Sequence, residues 1–307
     1  MRVDPFYVSN LVSALGQTQV NQQQVSAELA SGVRVNSLSQ DPIAAGENVR
    51  LLNQIQTDDS FTQSSNLVQG QMQVADSAMG SVVNELTRAI TLATSGNVGT
   101  LNAGDLKSIS NQLAGIRSEV LSLANTSYLG NYLFGGANVS TTPFTLSNAT
   151  TPATVTYNGD STVNSLTSPN GQTIPLNVPG NLIFIGGAAA TGSPTTGSVF
   201  DALNRLVADF ASGSPTAVTV GDTQALNSAL SYVSQQRVTL DNSITQLASA
   251  STAVTNEKMQ LTAAQTNLMQ ADIPTVSTQL AQALTQQTAL INVISQIGAG
   301  SLFDKLR

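Results

Sequence analysis

LNSALSYVSQQRVTLDNSITQLASASTAVTNEKMQLTAAQTNLMQAD, residues 226–272, runs without a glycine or a proline. Leu226, Val233, Leu240, Leu247, Val254, Leu261 and Leu268 recur through it at one fixed spacing. An apolar residue every seventh position is the repeat of a supercoiled helix. At ~1.5 Å per residue the stretch predicts a rod of roughly 70 Å. Its companion stripe, Leu230, Arg237, Ile244, Ser251, Lys258, Gln265 and Asp272, turns polar toward the C-terminal end. Such a helix buries a narrow ridge and needs partner helices. The seven apolar residues are the expected bundle seam. Their burial would contribute on the order of 10–20 kcal/mol before chain entropy is subtracted.

The partners lie upstream. Val8, Leu11, Leu15, Val25 and Leu29 step by threes and fours, with Thr18 and Gln22 filling the stripe. After a turn-like stretch, Val68, Met72, Ala75, Met79, Val82, Leu86 and Ala89 repeat the pattern. Leu106, Ile109, Leu113, Ile116, Val120 and Leu123 follow it again. Ser95–Gly99 reads as a loop, and Asn102 to Asp105 offer cap residues for the next helix. Downstream of the rod, Asp272-Ile273-Pro274 interrupts it, because proline is tolerated only in a first helical turn. A fresh helix then carries Val276, Leu280, Leu284, Ile291, Ile294 and Ile297.

Residues 137–199 differ. They hold six of the ten prolines, and Asp160 is their only charge. Ala153–Tyr157, Thr173–Val178 and Asn181–Ile185 read as strands, with turn signals at Asn158-Gly159-Asp160 and Ser168–Gly171. The prolines predict edge strands and loops over one tidy sheet. Val199–Phe210 reads as a short amphipathic helix. The fold class expected is mainly α: an elongated helical bundle or coiled coil made from N- and C-terminal segments, with a small mid-chain β-rich insertion.

Composition narrows the function. Charged residues make up only 9%, against a usual value of about 25%. A weakly charged surface favours association. There is no Cys and no His, so thiolate chemistry, disulfides, His-ligated metals and a Ser-His-Asp triad are excluded. A net charge of −7 with 11 Lys plus Arg leaves no basic patch for a nucleic acid. The start Met1-Arg2-Val3-Asp4-Pro5 argues against a signal peptide, and no apolar run approaches a membrane span. Two readings follow, a cytoplasmic protein or one exported without a cleaved signal.

The two ends share a character. Asp4, Glu28 and Arg34 are the only charges between Val3 and Asn36, and there is none between Ile273 and Leu302. Isolated helices of this kind are marginal in water. They are expected to gain order when they meet each other or a neighbouring molecule. Val8, Leu11, Leu15, Val25, Leu29, Val276, Leu280, Leu284, Ile291, Ile294 and Ile297 are the candidate assembly interface, with Leu302 and Phe303 as a terminal anchor. The alternative for all of them is ordinary packing within one chain. Phe134 is read as the residue where the bundle hands over to the β insertion.

Other patterns carry less. Asp58-Asp59 is the one acidic pair in sequence and reads as a solvated helix face. Gly187–Gly192 has P-loop glycine spacing but is followed by Ser193-Pro194, which removes the lysine that phosphate binding needs. Asn125-Thr126-Ser127, Asn138-Val139-Ser140 and Asn148-Ala149-Thr150 match glycosylation triplets, which arise by chance in a Ser- and Thr-rich chain. No catalytic, cofactor or metal site is assigned.

Glu28-Leu29-Ala30-Ser31-Gly32-Val33-Arg34-Val35-Asn36, followed by Asp41-Pro42-Ile43-Ala44-Ala45-Gly46, resembles the N-terminal signature of the flagellin superfamily. Pro42 after Asp41, Leu123–Thr126 leading to Gly130–Gly136, Val155–Asp160 and Ile174–Gly180 resemble its hook-associated protein 3 branch. So do Ser277–Leu280, Gln286–Leu290 and the ending Ser301–Leu306. Gln40, Pro274 and Lys305 depart from that pattern. The resemblance implies export through the flagellar type III apparatus and assembly as a homo-oligomeric ring at the hook–filament junction. Its implied partners are hook-associated protein 1, flagellin and an export chaperone, with no cofactor and no membrane insertion. It also implies three parts: residues 1–40 and 273–307 as inner-tube helices, 41–136 and 200–272 as a helical bundle wall, and 137–199 as an outer β-rich insertion. Flagellin itself, an adhesin or enzyme carried on the insertion, and a cytoplasmic helical scaffold are the alternatives.

Overall fold

A computed structural model describes residues 7–99, 101–186, 198–213 and 217–299. In chain order the elements are α1 (Tyr7–Ser31), α2 (Pro42–Gly96), α3 (Ala103–Ala124), β1 (Ser127–Tyr128), β2 (Asn131–Tyr132), β3 (Phe144–Ser147), β4 (Thr154–Tyr157), β5 (Ser165–Thr167), β6 (Thr173–Pro175), α4 (Gly180–Phe184), α5 (Val199–Ala211), α6 (Ala217–Met269) and α7 (Ile273–Ala299). The architecture is mainly α with a small β-rich insertion, as the periodicities predict. The described residues pack as two compact units, one of residues 58–255 and one of 7–57 with 256–299.

The unit of residues 58–255 holds a continuous apolar core. Met72, Ala75, Met79, Val82, Leu86, Ala89 and Ala93 line one face of α2, and Leu106, Leu113, Ile116 and Val120 one face of α3. From α6 come Leu226, Val233, Leu240, Leu247 and Val254, all buried. Val199, Phe200, Leu203, Leu206 and Phe210 complete it from α5. Asn102 caps α3, its Oδ1 accepting from the Asp105 amide at 3.0 Å. The polar companion stripe also has a partner. Arg237 forks onto Asp76 of α2 at 2.6 and 3.0 Å, its guanidinium lying over Gly80.

The β-rich stretch forms three antiparallel pairs, β1–β2, β3–β4 and β5–β6, in separate two-stranded sheets. Phe134, Phe144, Tyr157, Phe184 and Phe200 gather under them; Phe134 meets Phe184 edge-on at 5.7 Å. Asn125, in a glycosylation-type triplet, serves as a mock strand. Its Oδ1 accepts from the Phe144 amide and its Nδ2 donates to the Phe144 carbonyl, both at 2.9 Å. Asp160 binds the amides of Ala137 and Thr162 at 2.9 and 2.8 Å, and these hold its carboxyl below the ordinary carboxylate range.

One strand expectation is corrected. Asn181–Phe184 belongs to a short helix, α4, with Ile185 as its C-cap, and not to a strand. A strand would send the adjacent Ile183 and Phe184 to opposite faces. Among the described residues the strands form only separate two-stranded sheets. A single helical turn buries both.

Candidate assembly surface

The unit of residues 7–57 and 256–299 is built from α1, α7 and the adjoining ends of α2 and α6. The link after α1 pairs with the link between α6 and α7. The Ala271 amide donates to the Gly32 carbonyl at 2.9 Å, and the Arg34 amide donates to the Met269 carbonyl at 2.6 Å. Val33 and Gln270 form an antiparallel bridge between them. Gly32 sits at φ +68°, the left-handed cap that ends α1 and turns the chain into this clamp. The Arg34 guanidinium reaches the Leu268 carbonyl at 3.2 Å and the Asp41 carboxylate at 3.1 Å. Asp41 in turn caps α2 through the Ala44 amide at 2.9 Å. That amide, with Arg34, draws the Asp41 carboxyl below its ordinary range. Gln40 accepts from the amides of Asn36 and Ser37 at 2.7 and 3.2 Å, work its neutral carbonyl does without a charge. The signature stretch 28–46 is therefore a backbone clamp with its caps.

The clamp ties the C-terminal end of α1 to the N-terminal end of α7, and the two helices pack antiparallel. α7 starts with Pro274 in its first turn, where its missing amide costs nothing. The Val276 amide donates to the Asp272 carbonyl at 2.9 Å, and Thr275 bonds the Asp272 side chain at 2.6 Å. The seam side of α1 carries Leu11, Leu15, Gln22, Val25 and Leu29, half-buried, with Thr18 and Glu28 buried. On α7 the covered positions are Val276, Leu280, Ala283, Gln287, Leu290 and Ile294.

Two of the candidate interface residues stand apart from this seam. Leu284 is 45% exposed and Ile291 48%. With Ile273 they fall on one flank of α7 by the helical period, and all three are exposed. Thr278, Thr285 and Thr288 turn their hydroxyls onto the carbonyls of Pro274, Ala281 and Leu284 at 2.8 to 2.9 Å. There is no charged residue on α7. The side chains of Val8 and Ile297, the whole of Leu302 and Phe303, and the stretch Gly187–Gly192 lie outside the described residues. In the bundle seam Leu226 to Val254 are buried, while Leu261 and Leu268 are half-buried in the unit of the chain ends.

Sequence reasoning missed Ala283, Gln287 and Leu290 as the covered positions of α7. A small residue and a glutamine hid the heptad frame that starts at Val276.

Comparison with known proteins bears on this arrangement. Residues 7–139 match the bacterial flagellin N-terminal helical region. The match takes in less than half of the chain. That region spans α1, the clamp, α2 and α3, and it ends inside the β-rich stretch. Flagellar hook-associated protein 3 of Escherichia coli strain K12 is 30% identical over 129 residues, 41% of this chain and 40% of that protein. Its counterpart from Salmonella typhimurium is 29% identical over 140 residues, 45% of this chain and 44% of that protein. The matched stretch thus spans less than half the length of the curated relatives. Solved structures extend the likeness in fold. A flagellar hook-associated protein from Vibrio parahaemolyticus gives a TM-score of 0.64 at 20% identity, covering 75% of this chain and 100% of its own. Hook-associated protein 3 from Legionella pneumophila gives 0.60 at 15% identity, covering 72% and 98%. Among the described residues, no helix is long and apolar enough to cross a membrane.

Proposed function

We propose that this chain is a structural subunit of the bacterial flagellum, an adaptor at the junction between hook and filament. The observation that carries this reading is α7. It is uncharged, α1 covers one side of it, and Leu284 and Ile291 stand open on the flank beside that seam. An uncovered, uncharged helix flank suits a neighbouring helix of the same character. The match to a flagellin N-terminal region and the fold shared with hook-associated proteins support the same assignment. On this reading residues 1–40 and 273–307 form the inner tube of a homo-oligomeric ring, 41–136 and 200–272 its wall, and 137–199 its outer surface. Hook-associated protein 1 lies on one side of the ring and flagellin on the other. A cytoplasmic chaperone holds the C-terminal helix before export. The terminal helices complete their order as neighbours join.

Deletion of the gene tests the assignment. The expected result is cells with hooks but no filaments, and flagellin in the medium. Cells that keep normal filaments would overturn it. Restoring the gene with Leu284→Asp and Ile291→Asp should leave the protein folded and the cells still without filaments.

A further inference from the structure

We propose that the hydrogen bond between Arg117 and Asn204 is a register pin, a buried polar contact that lets α5 dock on α3 in one position only. Arg117 is 9% exposed and Asn204 2%. Arg117 Nη1 donates to Asn204 Oδ1 at 3.0 Å, and its Nε is buried with no hydrogen-bond partner. The other described arginines, Arg34, Arg50, Arg88, Arg205 and Arg237, each pair with a carboxylate. Among the described residues no carboxylate pairs with Arg117, and its acceptor is a neutral amide. A guanidinium taken out of water against one neutral oxygen stabilises a core less than an apolar side chain of similar size. The use of this bond lies in its direction.

The rest of the seam is apolar, and apolar burial has no direction. Buried Leu106, Ile109, Leu113, Ile116 and Val120 line α3, buried Val199, Leu203, Leu206 and Phe210 line α5, and the two helices pack together. The α5 residues recur by threes and fours, so the pattern repeats with each turn. A slide of four residues along α3 is a shift of about 6 Å. In one direction Val199 takes the place of Leu203, and Leu206 that of Phe210. In the other, Leu203 takes the place of Val199, and Phe210 that of Leu206. Apolar side chains fill apolar places either way. Only the place of Asn204 changes in kind. Phe200 or Ala208 would stand against Arg117, and neither has a side-chain acceptor. A buried donor left without an acceptor bears the full penalty of its desolvation. Ser110 also bonds α5, through the Val207 carbonyl at 2.8 Å. Every residue offers a carbonyl, so that bond holds the seam without choosing a register.

Register matters because α5 is packed at both ends. Phe200 sits between Phe144 of β3 and Phe184 of α4, with ring centroids at 5.3 and 5.6 Å. Phe210 lies over Gly96 of α2, where any Cβ would strike its ring. A slip of one turn withdraws both rings from these places. The pin therefore sets how the β-rich stretch sits on the helices of residues 58–255.

The test uses the full chain. It contains no Cys, so Ser122→Cys on α3 and Ala211→Cys on α5, both exposed, supply two sites for spin labels. Pulsed electron spin resonance then reads the distance between them. One sharp distance is expected in this labelled parent. Asn204→Leu strands the guanidinium and should lower the thermal midpoint by about 5–10 °C. Adding Arg117→Met should return the midpoint to within about 2 °C of the parent, or above it. In that double variant the distance should split or broaden, with a second population displaced by about 6 Å. A double variant that keeps the parent's single distance would overturn the pin, because apolar packing would then choose the register unaided. A double variant no more stable than Asn204→Leu would also overturn it, because the polar pair would then be needed for stability itself. An Asn204→Leu midpoint equal to the parent's would do the same, since the guanidinium would not depend on its acceptor.

Discussion

The two compact units solve burial differently. In residues 58–255, Phe200, Leu203, Met79, Leu86 and Leu113 are all but sealed from water. In the unit of the chain ends, the leucines of the α1–α7 seam are half-buried at best, and α7 leaves Leu284 and Ile291 open. Both units draw on the same heptad language. One has enough helices and aromatic rings around it to finish a core, and the other has two weakly charged helices and a backbone clamp. Burial removed from water is the main favourable term in folding, at roughly 25 cal/mol per Å². The unit of residues 58–255 closes its core, whereas the other leaves apolar surface exposed, which on the proposed reading is kept for neighbouring subunits.

The sharpest way to break that contrast is a pair of truncations. Phe200→Ala opens the aromatic cluster and should cost about 3–5 kcal/mol of stability. Leu284→Ala should change monomer stability by less than about 0.5 kcal/mol, yet impair assembly. Denaturant titrations beside an assembly assay read both. Equal destabilisation by the two would erase the distinction.

A smaller effect is expected at the clamp. Gly32→Ala forces a Cβ into the left-handed region and should destabilise the end unit by about 1–2 kcal/mol. Protease sensitivity of the α1 link should rise, while residues 58–255 keep their resistance. At Leu129 the sign reverses. This residue has φ 50° at the β1–β2 turn and is 75% exposed. Leu129→Asn, followed by Gly130, suits that hairpin turn and should stabilise by about 0.5–1 kcal/mol. Asp160 gives the weakest handle, and it also belongs to the finished unit. Its carboxyl is shifted below 3.8, so its contribution is present above that value and fades as pH falls through the lower folded one. Asp160→Asn should remove this part of the acid sensitivity in an acid unfolding titration.

The long helices were readable because their signal repeats. Seven apolar positions at one heptad spacing, from Leu226 to Leu268, outvote any single residue, and Pro274 marked the start of α7 by its missing amide. Short elements offered no such redundancy. Asn181–Ile185 is five residues long, too short for either period to register, and its branched apolar content pointed to a strand. The clamp joins Gly32 and Arg34 to Ala271 and Met269, residues far apart in the chain with no periodic trace of their pairing. At the candidate surface, sequence picked out Leu284 and Ile291 as apolar. It did not say which stripe of α7 would meet α1. That depends on how two helices turn toward each other, and Gln287 in the seam concealed the answer. Asn125 was legible only as a modification triplet, because its bonds to Phe144 depend on tertiary placement.

Amide hydrogen exchange on the dilute protomer, and again after assembly, tests the central claim most directly. The account predicts that α1 and α7 exchange much faster than α3 and α5 in the free protein, and that assembly slows α7, with the flank of Leu284 and Ile291 among the most affected. Equal protection of α7 and α3 in the free protomer, unchanged by assembly, would contradict it.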